Sequence, residues 1–89
     1  MIETQIAIIN KLGLHARAAA KFAATATHYG SDIRAGVGGK LVDAKSVMSL
    51  MLLAANQGTE LQLTVAGDDE QEAYTAIAAL INDRFGEAE

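Results

Sequence analysis

The segment that most restricts the fold is Glu60–Ala66, in which polar and apolar residues alternate along the whole stretch. Its apolar positions are Leu61, Leu63 and Val65, so the predicted strand has one apolar and one polar face. Such a strand is typical of an antiparallel sheet that packs on a core with one face and meets solvent with the other. The segment therefore predicts an open-faced sheet that is covered on one side only.

The periodicity of the whole chain predicts seven elements in the order βαββαβα. The three further predicted strands are Ile2–Ile9, Asp32–Val37 and Lys40–Asp43, with a hairpin turn at Gly38-Gly39. Helical spacing of apolar residues begins near His15, Ser46 and Asp68, and we expect the first two helices to end at Tyr29-Gly30 and at Asn56-Gln57-Gly58. This order predicts an α+β fold, an open-faced two-layer sandwich in which three helices cover one face of a four-stranded antiparallel sheet.

Two of the helix starts carry capping residues. Ser46 is a good N-cap for the second helix. Asp68 can cap the third, with Gln71 three residues later as in a capping box. The acidic run Asp68–Glu72 is therefore interpreted as helix-start chemistry, which the helix dipole favours, and not as a metal site.

Composition excludes several classes of protein. Eighty-nine residues suit one domain, residues 1–89, and the absence of cysteine excludes disulfides and thiolate metal sites. The longest apolar run, Val47–Ala55, is far shorter than the roughly 20 residues of a transmembrane helix, and the first residues do not resemble a secretion signal. We therefore expect a soluble cytoplasmic monomer that needs no cofactor.

The charge is unevenly distributed along the chain. A net charge of −4 argues against nucleic acid as the main partner. However, residues 1–45 hold six basic and three acidic residues, whereas residues 46–89 hold one basic and eight acidic residues. The first half can therefore present a positive surface to a phosphate or an acidic partner.

The junction Leu14-His15-Ala16-Arg17 is the strongest candidate for chemistry. A histidine at a helix start lies beside unpaired backbone N–H groups, which form an anion site together with the helix dipole. Arg17 adds a guanidinium suited to phosphate oxygens. A neutral ring nitrogen of His15 could attack phosphorus, although a histidine at this position is more commonly a cap or a surface residue.

Four motifs resemble the HPr family, the histidine phosphocarriers of the bacterial phosphoenolpyruvate-dependent phosphotransferase system. Residues 10–17 (NKLGLHAR) are similar to that family's active-site segment, and residues 43–48 (DAKSVM) to its second signature. Residues 57–59 (QGT) and 67–73 (GDDEQEA) also fit, so the resemblance spans the chain and includes the βαββαβα order. Ala16 and Ala18 depart from the family, which commonly has Ser or Thr and Pro at these positions.

The resemblance implies a role for each residue of the junction. His15 would accept a phosphoryl group on Nδ1 from phospho-enzyme I and pass it to enzyme IIA domains. Arg17 would balance the added charge, and the N–H groups of Ala16 and Arg17 would bind phosphate oxygens. The chain would then be a stoichiometric intermediate of sugar uptake and not an enzyme.

The second helix has two interpretations. Val47, Leu50, Met51 and Ala54 recur at helical spacing and would ordinarily be core residues. The resemblance implies instead that part of this helix joins the His15 helix in one docking face, for which the candidates are Ala20, Lys21, Val47, Met48 and Met51. Ser46 is either only a cap or, as the resemblance implies, also a regulatory site for an HPr serine kinase/phosphorylase.

Two alternative functions remain at this point. A small regulatory α/β domain without phosphoryl chemistry could share the size and element order, but it would not need His15 beside Arg17. A nitrogen-related paralogue of the carrier would use the same His15 chemistry for regulation. His28 is interpreted as a solvated residue at a helix end.

Overall fold

The computed structural model describes residues Met1–Glu89. Its elements follow the predicted order: β1 (Ile2–Ala7), α1 (Ala16–Thr27), β2 (Asp32–Val37), β3 (Lys40–Asp43), α2 (Val47–Leu52), β4 (Glu60–Ala66) and α3 (Glu70–Asn82), with a short 3-10 turn at Arg84–Gly86. The predicted bounds of β2, β3 and β4 are confirmed. No helix of this chain combines the length and the apolar character needed to cross a bilayer.

All four strands form one antiparallel sheet in the order β1-β4-β2-β3. The central strand β4 confirms the predicted alternation, because Leu61, Leu63 and Val65 are fully buried and the residues between them are not. The helices supply the other half of the core through side chains that include Phe22, Leu50 and Ile77. The predicted open-faced two-layer sandwich is therefore the observed architecture.

Three predicted element ends were wrong. β1 stops at Ala7, because the next residue, Ile8, pairs instead with the loop before β4, its N–H donating to Thr59 O at 2.9 Å. α1 ends two residues before the predicted Tyr29. α2 ends at Leu52, and Ala54 adopts a φ of 52°, a left-handed conformation that a helix cannot contain.

The predicted capping box at Asp68 is also wrong. The residue before α3 is Asp69, and its side chain makes no cap bond to the helix. Its carboxylate instead accepts hydrogen bonds from Gly30 N at 2.9 Å and Ser31 N at 3.0 Å, and it also contacts Ser31 Oγ. Asp69 therefore fastens the end of the α1–β2 connection to the start of α3.

These bonds predict an acid-sensitive contribution to stability. The hydroxyl of Ser31 and the N–H of Gly30 hold the pKa of Asp69 below its usual value. A carboxylate whose pKa is lower in the folded than in the unfolded state stabilises the fold at pH values above its unfolded-state pKa. This contribution is lost as the pH falls through its folded-state pKa. Asp69→Asn should therefore lower the free energy of unfolding at pH 7. In acid, the free energies of unfolding of the variant and of the parent chain should become more similar.

Urea titrations at several pH values would measure this effect. The matched control is Asp68→Asn, because Asp68 is exposed and makes no side-chain hydrogen bond or ion pair. Equal stability of the Asp69→Asn and Asp68→Asn variants at pH 7 would contradict the role given to Asp69.

Candidate functional site

The loop before α1 fixes the position of His15. Gly13 has a φ of 67°, and a Cβ at this position would lie 2.5 Å from Ala55 O, so only glycine fits. The next residue, Leu14, is buried and donates its N–H to Ala55 O at 2.8 Å. The loop is therefore held against the segment after α2, and His15 is placed at the start of α1.

His15 is the N-cap residue of α1, but its side chain does not cap the helix. The first helical bond runs from Ala19 N to His15 O at 2.8 Å, so the N–H groups of Ala16 and Arg17 precede the hydrogen-bonded turns. Both residues are exposed. These free donors and the positive end of the helix dipole can hold a phosphoryl group that is bound to the ring.

The predicted site residues His15, Ala16 and Arg17 line one open cleft of about 690 Å³. The cleft is completed by the loop residues Lys11 and Leu12 and by the last three residues of the chain. Lys11 pairs with Glu89 at 3.4 Å between exposed side chains, whereas Arg17 has no carboxylate partner. The guanidinium of Arg17 is therefore free to pair with a phosphate.

Glu87 is a site residue that the sequence did not reveal. Its Oε2 contacts Nε2 of His15, and its Oε1 accepts a hydrogen bond from Asn10 Nδ2 at 2.9 Å. The amide of Asn10 and, after it, the ring of His15 hold the pKa of Glu87 below its usual value, against the opposing effect of partial desolvation. The contact joins residues 72 positions apart, and no local motif marks Glu87 for this position.

A left-handed turn brings Glu87 to the ring. Arg84, Phe85 and Gly86 all have positive φ, and the side chain of Phe85 is fully buried in the core. Lys21 donates from Nζ to Phe85 O at 2.7 Å, so this exposed residue, predicted as a docking contact, also holds the tail in place. The buried ring and this bond fix the chain two residues before Glu87.

The predicted N-cap of α2 is confirmed. Ser46 has an extended backbone, and its side-chain oxygen accepts a hydrogen bond from Ser49 N at 3.2 Å. Of the two interpretations of this helix, the buried stripe applies only at Leu50, because a helix of six residues turns only one side to the core. The predicted docking residues Val47, Met48 and Met51 are exposed, and Met48 is 71% exposed.

The remaining predicted contacts lie on α1. Ala20 and Lys21 are exposed, and they follow Arg17 by three and four positions. The three residues therefore lie on the same side of the helix. α1 also packs against α2. His28 follows the end of α1 and is exposed, as predicted.

The chain is similar over nearly its whole length to known proteins of one family. A family model, PTS-HPr, described as the PTS HPr component phosphorylation site, matches residues 2–83. The chain is 49% identical to phosphocarrier protein HPr of Cupriavidus necator over 100% of both chains. It is 52% identical to phosphocarrier protein HPr of Pseudomonas aeruginosa over 96% of both chains. The crystal structure of HPr-C-His from Thermoanaerobacter tengcongensis superposes with a TM-score of 0.95 at 46% identity, covering 100% of each chain.

Proposed function

Because the chain belongs to the HPr family of phosphocarriers of the phosphotransferase system, we propose that it carries a phosphoryl group on His15 from phospho-enzyme I to enzyme IIA domains in sugar uptake. The observation that carries this proposal is the imidazole of His15 at the N-terminus of α1 beside an unpaired Arg17. A small regulatory domain without phosphoryl chemistry would not need this pair.

The transfer uses the Nδ1 atom of His15. This nitrogen makes no hydrogen bond within the protein, whereas Nε2 is occupied by Glu87. The Nδ1 lone pair forms the new bond to phosphorus, and the bond between phosphorus and enzyme I breaks, leaving its electron pair on the donor. The N–H groups of Ala16 and Arg17 and the guanidinium then bind the phosphoryl oxygens. Transfer to enzyme IIA reverses these steps on a new acceptor.

An exposed site suits a carrier that must give its phosphoryl group away. The His15 side chain is 27% exposed, in an open cleft and not in a closed pocket. Few donors reach it, so the phosphorylated state is stabilised without being trapped. On this proposal the chain acts as a monomeric cytoplasmic HPr domain, residues 1–89, that turns over only together with its partner enzymes.

Intact-mass measurement tests the proposal directly. The chain is incubated with phosphoenolpyruvate and enzyme I, and we expect the mass of one phosphoryl group to be added, in a bond that acid hydrolyses. The control omits enzyme I and should show no addition. An unchanged mass in the complete mixture would argue against the carrier function.

We propose that the exposed side chains of Val47, Met48 and Met51 form a docking face that both partners share with Ala20 and Lys21 of α1. Apolar side chains that are this exposed in a short helix are typical of a protein-binding surface, and methionine adapts to differently shaped partners.

Met48→Asp should weaken binding to enzyme I and to enzyme IIA, each by about tenfold, because a carboxylate must then be desolvated in the interface. The fold should be retained, since Met48 is mostly exposed. Titrations followed by NMR shifts would measure both affinities, with Leu41→Asp on β3 as an apolar-to-acid control elsewhere. Unchanged affinity for both partners would remove Met48 from the docking face.

We also propose that phosphorylation of Ser46 regulates the carrier, since Ser46 directly precedes this face. Ser46→Asp keeps a good N-cap, so any loss of transfer arises from charge and not from unfolding. We expect slower phosphorylation by enzyme I that added salt partly restores, because salt screens exposed charges over about 8–10 Å. A rate equal to that of the parent chain at low salt would leave Ser46 as a cap only.

A further inference from the structure

The carboxylate of Glu87 bridges two groups that face it from different elements. One oxygen accepts from Asn10 Nδ2 at 2.9 Å, and the other contacts Nε2 of His15. The side chains of Glu87 and His15 are only 15% and 27% exposed, so water competes weakly for this contact. The ring therefore depends on Glu87 for its hydrogen bond at Nε2.

The orientation of the Asn10 amide is fixed by the loop that precedes α1. Asn10 is fully buried, and its Nδ2 also donates to Gly13 O at 2.8 Å. Turning the amide over would place Oδ1 against the carbonyl oxygen of Gly13, so two acceptors would face each other. Asn10 can therefore offer only a donor to Glu87.

The bridge determines which ring nitrogen carries the proton. An ionised carboxylate is only an acceptor, so Nε2 of His15 must be the donor and the Nδ1 of a neutral ring must be unprotonated. We propose that Glu87, oriented by Asn10, is a positioning residue that holds the Nε2–H tautomer of His15 and so presents the Nδ1 lone pair to phosphorus. This inference rests on the proposed function of His15 and adds a residue to its machinery.

The same contact helps the group transfer itself. As Nδ1 bonds to phosphorus, the ring gains positive charge, while its Nε2 proton stays in the hydrogen bond to Glu87. The carboxylate stabilises this charge, as second-shell carboxylates do for histidines that bind metals. When the phosphoryl group leaves for an acceptor, the electron pair of the N–P bond returns to Nδ1, and the proton on Nε2 has not moved.

Glu87→Gln tests the tautomer without changing the shape of the side chain. The glutamine oxygen must accept from Asn10, so the amide NH₂ then faces the ring and Nε2 becomes the acceptor. The proton moves to Nδ1, which loses its free lone pair. We expect phosphorylation by enzyme I to slow by about 10- to 100-fold, the usual cost of removing a partner that orients a histidine.

The readout that distinguishes positioning from mere structure is the ¹⁵N NMR spectrum of the His15 ring at alkaline pH, where imidazole is neutral. The parent chain should show Nε2–H and the Glu87→Gln variant Nδ1–H. Glu72→Gln is the matched control: Glu72 is exposed on α3, outside the cleft, and this substitution should change neither the tautomer nor the rate.

Three results would overturn the inference: an Nδ1–H tautomer in the parent chain, an unchanged tautomer in Glu87→Gln, or a parental rate in that variant. The spectrum of the parent chain tests the predicted tautomer even if the Glu87→Gln variant does not fold. Failure of the parent chain to accept phosphate would instead count against the proposed function, because the tautomer is measured without phosphorylation.

Discussion

His15→Ala should abolish phosphorylation by enzyme I and phosphoenolpyruvate, to below the detection limit of intact-mass measurement. The variant lacks the only imidazole in the cleft, and neither the ammonium group of Lys11 nor the guanidinium of Arg17 offers the free lone pair that attacks phosphorus. The fold should persist, because the His15 side chain makes no cap bond to α1 and is not part of the core.

The second histidine provides the control for this experiment. His28 is exposed at the end of α1, and His28→Ala should accept one phosphoryl group at the parental rate. Persistent phosphorylation of His15→Ala, together with loss in His28→Ala, would move the carrier site to His28. Circular dichroism of both variants should match the parent chain.

Arg17→Glu should slow both the transfer from enzyme I and the transfer to enzyme IIA, each by about 100-fold. The substitution removes a guanidinium that has no carboxylate partner and, on the proposed function, places a carboxylate where the phosphoryl oxygens bind. Loss of a single donor to a developing oxyanion typically costs roughly 100- to 1,000-fold in rate. Stability should change by no more than about 0.5 kcal/mol, because Arg17 is exposed.

Quench-flow measurement of both steps would separate chemistry from the effect of net charge. Arg34→Glu makes the same charge change on the exposed surface of β2, where Arg34 interacts only with Asp32, and should leave both rates nearly unchanged. Equal slowing by the two variants would mean that Arg17 acts through overall charge and not at the phosphoryl group.

Local sequence patterns predicted those parts of the fold that depend on local forces. The alternation of Leu61, Leu63 and Val65 identified the core strand because a strand has a period of two. Ser46 was recognised as a cap because its hydroxyl bonds to a backbone N–H only three residues away. His15 was identified as a candidate because the start of a helix can bind an anion, and this property does not depend on the rest of the fold.

Long-range contacts account for the features that the sequence did not predict. Asp69 was overlooked as an anchor because its partners, Gly30 and Ser31, lie almost forty residues earlier, whereas the capping-box pattern considers only four consecutive positions. Glu87 contacts His15 only because Phe85 is buried and the backbone is left-handed at that residue. Local sequence patterns do not predict a left-handed conformation in a residue other than glycine.

The order of the strands has a consequence for how the molecule opens. β4 pairs along both edges, with β1 and β2, so its amide protons should exchange with solvent only in the globally unfolded state. The loop before His15 and the helix α2 follow β1 and β3, the two strands that pair along one edge only. The edge strands β1 and β3 can therefore open locally, next to the proposed site and docking face, while the centre of the sheet remains paired.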